Sequence, residues 1–116
     1  MDGTLETLTQ SLRRFAAERD WEQFHSPKNL ACALAVEAAE LLEHFQWLTD
    51  EQSANLPQDK RTAVGLEMAD VLLYLLQIAD RLRIDLPAAA AQKLELNAAK
   101  YPVARAHGNS RKYDEL

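Results

Sequence analysis

Two pairs of acids, Glu37 with Glu40 and Glu67 with Asp70, each three positions apart, are the groups in this 116-residue chain best placed to do chemistry. On a helix, residues three apart share a face. At 100° per residue Glu37 falls between Leu30, Leu34 and Leu41, inside an apolar stripe, and Glu67 falls in the same way between Val71, Tyr74 and Ile78. A carboxylate on a core-facing stripe needs a compensating partner. No Lys or Arg occurs between Asn29 and Asp50, or between Thr62 and Asp80, to provide one. Two carboxylates about 4 Å apart repel by roughly 4 kcal/mol at an effective dielectric near 20, and four together multiply the pair terms. Something cationic must balance them.

An all-oxygen ligand set favours Mg²⁺, Mn²⁺ or Ca²⁺, and Mg²⁺ characteristically bridges a few carboxylates to the phosphates of a substrate. A di-iron centre would draw on the same acids but pairs them with Glu-x-x-His. Here Leu41 stands three residues before His44, and no histidine occurs near Glu67. Glu43 reads as an ordinary solvated acid.

These pairs must be carried by helices. Glycine is confined to Gly3, Gly65 and Gly108, and strand-type runs of β-branched residues are absent, so the chain reads as all-α. Four helices are expected, at roughly 4–19, 27–48, 59–83 and 86–100. Leu5, Leu8, Leu12 and Phe15 give the first its apolar stripe, Ser26-Pro27 opens the second, and Asp85-Leu86-Pro87 opens the fourth. The stretch from Thr49 to Pro57 reads as a polar loop, and everything from Val103 onward as an extended tail. Between Leu66 and Ala79 every residue is apolar or aromatic except Glu67, Asp70 and Gln77. Such a helix is expected to be buried all round, against other helices and a second subunit. At 14 residues with two acids it is a poor membrane span.

The length gives one domain over 1–116, and 47% hydrophobic with 27% charged residues is a globular composition. A net charge of -5 argues against binding a nucleic-acid polymer. The lone Cys32, expected to be a small buried hydrophobe, and the lack of a signal-peptide pattern suggest a reducing, cytoplasmic setting.

The runs E37-A-A-E40 and E67-M-A-D70-V-L-L-Y74 resemble the acidic signature of the all-α nucleoside triphosphate pyrophosphatases, the MazG-like superfamily. The stretch from Arg19 to Leu30, then F45-Q-W47, then D85-L-P and K93-x-x-x-N97-x-x-x-Y101-P, is similar to its dCTP pyrophosphatase branch. The resemblance implies a four-helix-bundle-like MazG-type fold and Mg²⁺-dependent hydrolysis of a deoxynucleoside triphosphate to monophosphate and pyrophosphate, with Mn²⁺ as a substitute. It implies metal ligation by Glu37, Glu40, Glu67 and Asp70 and water attack at the α-phosphorus. Glu37 or Glu40 would handle the water, and Lys93 would meet the leaving pyrophosphate, with Arg105, Arg111 and Lys112 as further candidates. Trp21, His25, Asn29, Trp47, Tyr74 and Asn97 match positions around the nucleotide, whereas Leu12 stands where animal members of the branch carry histidine. The reading is therefore a cytoplasmic homodimer or dimer-based homotetramer that cleanses the nucleotide pool of dCTP or a modified pyrimidine analogue. The alternatives are the same reaction on dUTP, a purine or an oxidised dNTP, and a non-catalytic helical adaptor stapled by a divalent ion.

Overall fold

A computed structural model describes residues 3–116. The chain divides into two compact units, one ending at Arg83 and one spanning Ile84–Leu116. Helices and the turns between them make up the described residues, with no strand among them.

The first unit contains α1 (Leu5–Glu18), α2 (Pro27–Glu43), a short α3 (Asp50–Ala54) and the long α4 (Gln58–Leu82). Each start has a local cause. The Thr4 hydroxyl accepts from the Thr7 amide at 3.1 Å, and the Ser26 hydroxyl accepts from the Asn29 amide at 3.1 Å with Pro27 at the first helical position. The α2·α4 packing is the most extensive helix contact, and α1 also lies on α4. Ala16 on α1, Leu30 on α2 and Val64, Leu76 and Ala79 on α4 form the buried core, with α4 the helix on which both others pack. A bidentate ion pair reinforces the α1·α4 contact: Arg13 Nε donates to Asp80 at 3.0 and 3.2 Å, and Nη2 donates to the same carboxylate. Between α1 and α2 a 3₁₀ turn, Glu22–Phe24, is held to α4 by Arg81 Nη2, which donates to the Glu22 carbonyl at 2.7 Å.

Several expectations need correction. The second helix stops at Glu43 rather than near residue 48. Past it the backbone tightens into three-residue bonds, His44 N to Leu41 O at 3.2 Å, Phe45 N to Leu42 O at 2.9 Å and Leu48 N to Phe45 O at 2.9 Å, over residues of modest helix propensity. The stretch expected to be a loop contains α3, because Thr49 and Gln52 form a reciprocal capping box at 3.1 and 2.9 Å. Cys32 is exposed, not buried: five residues before Glu37, it lies about 140° around α2 from the side that meets the α4 acids. Within the single chain α4 leaves Leu66, Met68, Leu75 and Leu82 exposed, the surface that the expected second subunit would have to cover. By length and composition α4 could cross a membrane, but here it packs Val64, Leu76 and Ala79 into the core and carries Glu67, Asp70 and Asp80.

The second unit consists of α5 (Leu86–Lys100), a short α6 (Val103–Ala106) and a terminal 3₁₀ turn, Tyr113–Glu115. Asp85 Oδ1 caps α5 by accepting from the Ala88 amide at 3.1 Å. The tail folds rather than extends. Tyr113 meets Tyr101 edge-on at 6.2 Å and sits beneath the Lys100 ammonium at 4.9 Å, returning the terminus to the end of α5.

Candidate active site

The packing of α2 on α4 brings the two acidic pairs together. Carboxylate oxygens of Glu37, Glu67 and Asp70 lie within 4.8 Å of one another, Glu37 and Glu67 half-buried and Asp70 exposed. Glu40, one turn beyond Glu37 and exposed, is not part of that triad but acts on Glu37 and Glu67 first by side-chain hydrogen bonding and then by charge. Interactions with Glu67 and then Glu40, with burial and charge repulsion behind them, push the Glu37 carboxyl up to about 8. Glu67 is also raised: Glu37 pulls it down, but Glu40, burial and Asp70 outweigh that pull. Glu37 Oε2 and Glu67 Oε1 are shielded from water and find no hydrogen-bond donor. Ionised carboxylates only accept, so a proton or a cation must bridge such oxygens. The donor set is all oxygen and partly solvent-accessible, and it fits a hard divalent ion.

From Asp70 a cavity of about 390 Å³ runs between α1 and α4 to the 3₁₀ turn, past Leu73 and Tyr74 to Leu12, Phe15, Trp21 and His25. Its aromatic end is a chain of edge contacts, Phe15 to Trp21 at 5.7 Å and Trp21 to His25 at 6.3 Å, and the Arg19 guanidinium lies 3.6 Å from the Phe15 ring centroid. A smaller cavity of about 250 Å³ shares Leu12, His25 and Gln77 and is walled by Arg13 and Asp80. The Arg13 guanidinium holds the Asp80 carboxyl below the usual aspartate range.

Trp21, His25, Tyr74 and Asp70 line one cavity. Asn29 is committed to the backbone, with Nδ2 donating to the Phe24 carbonyl at 2.9 Å. Trp47 is 87% exposed in the turn after α2 and does not line this cavity. Lys93, exposed, and Asn97, half-buried, lie on α5 in the second unit. Sequence reasoning missed Ser11 and Gln77 on the cavity wall. The available signal was Gln77 itself, the one residue between Leu66 and Ala79 that is neither acidic, apolar nor aromatic.

A sequence profile of the MazG-like family matches residues 32–116. Human dCTP pyrophosphatase 1 is 48% identical over 117 residues, and the mouse protein of that name 44% identical over 115; in each case the match covers 97% of this chain and 68% of the relative. The crystal structure of a pyrophosphatase from Archaeoglobus fulgidus superposes with a TM-score of 0.79 at 41% identity, covering 84% of this chain and 91% of that one. The chain belongs to the MazG-like family. Within it, the protein is a nucleoside triphosphate pyrophosphohydrolase.

Proposed function

We propose that the enzyme hydrolyses dCTP, or a modified pyrimidine deoxynucleotide, to the monophosphate and pyrophosphate, using Mg²⁺ held by Glu37, Glu40, Glu67 and Asp70. The supporting observation is the continuity of the acid cluster with an aromatic-ended cavity, Asp70 belonging to both. The bound ion would supply positive charge to the triphosphate and acidify water at neutral pH. The chain's own groups do the rest. Glu37 or Glu40 accepts the proton of the water that attacks the α-phosphorus. Trp21 and His25 offer faces and edges for the base, where stacking contributes about 1–3 kcal/mol without choosing among bases. Tyr74, between Asp70 and the aromatic end, faces the sugar and phosphates.

The resemblance assigns Lys93 to the leaving pyrophosphate and Asn97 to the nucleotide, while Trp47 would act on a nucleotide only through a movement of its turn or as a contribution to a neighbouring subunit. The large apolar residues left exposed on α2 and α4 favour a homodimer or dimer-based homotetramer acting on the free nucleotide pool.

The test is a panel of dNTPs with Mg²⁺ or Mn²⁺ in ¹⁸O-labelled water, with products resolved by ion exchange and mass spectrometry. Monophosphate carrying the label, with unlabelled pyrophosphate, is the expected result. Label in pyrophosphate, or diphosphate with orthophosphate, would refute attack at the α-phosphorus. No turnover of any nucleotide would leave a helical adaptor with a divalent-ion staple.

A further inference from the structure

Aromatic faces hold a base without identifying it, so selection requires polar atoms on the cavity wall. Two are available apart from the acids and the aromatic residues, Ser11 on α1 and Gln77 on α4, and both line the cavity that begins at Asp70. The positions on α4 form one stripe, Asp70, Tyr74 and Gln77. A rise of 1.5 Å per residue puts Gln77 about 10 Å along the helix from Asp70, comparable to the length of a nucleoside. With phosphates at the acids, the base lies at the level of Gln77.

The orientation of the Gln77 amide follows from its hydrogen bond. Nε2 donates to the Leu73 carbonyl at 3.3 Å, which leaves the carbonyl Oε1 with no donor among the described residues. Ser11 Oγ is shielded from water and likewise has no partner. A shielded hydroxyl without a partner costs stability, and Ser11 itself lines the cavity. Two residues that line the space between α1 and α4 therefore each carry a polar atom without a hydrogen-bond partner among the described residues.

We propose that Gln77 and Ser11 are the base-selecting residues of this enzyme, with Gln77 Oε1 accepting a hydrogen bond from the exocyclic amino group of a cytosine-type base and the Ser11 hydroxyl bonding a second atom of the base edge. This rests on the nucleotide reading of the cavity given above. Uracil and thymine place a carbonyl where cytosine carries its amino group, setting acceptor against acceptor, and are rejected. Leu12, beside Ser11, contributes only apolar contact, so the choice of base falls to the neighbouring hydroxyl and to the opposite helix.

The experiment measures kcat/KM for dCTP, dUTP and the dCTP analogue lacking the 4-amino group, in wild-type enzyme and in Gln77→Leu and Ser11→Ala. Wild type should prefer dCTP to the deaminated and amino-free substrates by about 10- to 100-fold, the range expected when a buried acceptor loses its donor. Gln77→Leu should bring the three substrates to within about threefold of one another, mainly by losing dCTP turnover. This ratio is insensitive to a general loss of folded protein, and Gln77→Met provides the same test should Leu misfold. Ser11→Ala should lower kcat/KM for dCTP while raising the melting temperature of the free enzyme, because a partnerless hydroxyl is removed. A lower melting temperature would make Ser11 structural and overturn its part. Retention of the full dCTP preference in Gln77→Leu or Gln77→Met would overturn the assignment of Gln77 while leaving the pyrophosphohydrolase reading intact. A wild-type enzyme that turns over no dNTP would remove both.

Discussion

At the scale of single residues, the site is a balance between repulsion and what relieves it. Glu37, Glu67 and Asp70 converge without a basic side chain among them, and two of their oxygens lack any donor. Removing one charge should therefore stabilise the metal-free protein while abolishing ion binding. For Glu37→Gln we expect a metal-free melting temperature equal to or above wild type, loss of the rise that Mg²⁺ gives wild type, and a fall in kcat of about 100-fold or more. Thermal melts with and without Mg²⁺, read beside turnover, check this; a variant still stabilised by Mg²⁺ would move the ion elsewhere. The acids were legible in the sequence because their wheel position and lack of basic neighbours are local facts. The depth at which Trp47 would sit was not, since that depends on where α2 ends.

The Arg13–Asp80 pair yields a pH prediction. Arg13 depresses the Asp80 pKa, so the pair's stabilisation is present above the ordinary aspartate value, about 4, and is lost as pH falls through the lower folded value. The melting temperature of Asp80→Asn should lie below wild type at pH 7 and converge with it as pH falls through the lowered Asp80 pKa. A gap that persists unchanged in acid would show that the substitution costs packing rather than charge.

At the scale of elements, most helix boundaries were legible; the end of the second helix and the short α3 were not. Thr4, Ser26 and Asp85 each cap through a side chain whose type and position can be read directly. Ser26→Ala should cost about 1 kcal/mol in denaturant unfolding, and because Ser26 follows His25 it should also raise KM. Ends depend on competition between the next residue and the turn. The long α4 stops at Arg83, in the left-handed region at φ 56°, where no glycine announces it. Arg83→Gly should stabilise by about 0.5–1 kcal/mol, the relief of a strained side chain set against the added freedom of the unfolded glycine. A loss of stability would mean that the Arg83 side chain makes a contact worth more than the strain. The tail was illegible for a related reason: Tyr101, Tyr113 and Lys100 fold it by contacts between residues far apart in sequence, which no local period reveals.

At the scale of the molecule, composition gave the all-α class, and the pattern of α4 gave a surplus of apolar surface without saying where it lies. The structure locates part of it at Leu66, 68% exposed and next to Glu67, with Met68, Leu75 and Leu82 further along the helix and Val36 and Leu42 on α2. Leu66 and Met68 flank a metal-ligand candidate, so a subunit contact there would also fix the acid cluster. A two-fold interface counts each residue twice, and a leucine side chain taken from water contributes about 1.5–3 kcal/mol. Leu66→Lys should accordingly weaken self-association by roughly 10²- to 10⁴-fold, enough to convert a stable dimer into monomer at micromolar concentration. Light scattering coupled to size exclusion should show wild type as dimer or tetramer and the variant as monomer with a helical circular dichroism spectrum. If the subunit contact holds the acids in register, the monomer should also bind Mg²⁺ more weakly and turn over more slowly. A wild-type protein that runs as a monomer at tens of micromolar would refute the assembly, whereas a Leu66→Lys variant that stays dimeric would move the interface to another face of α2 or α4.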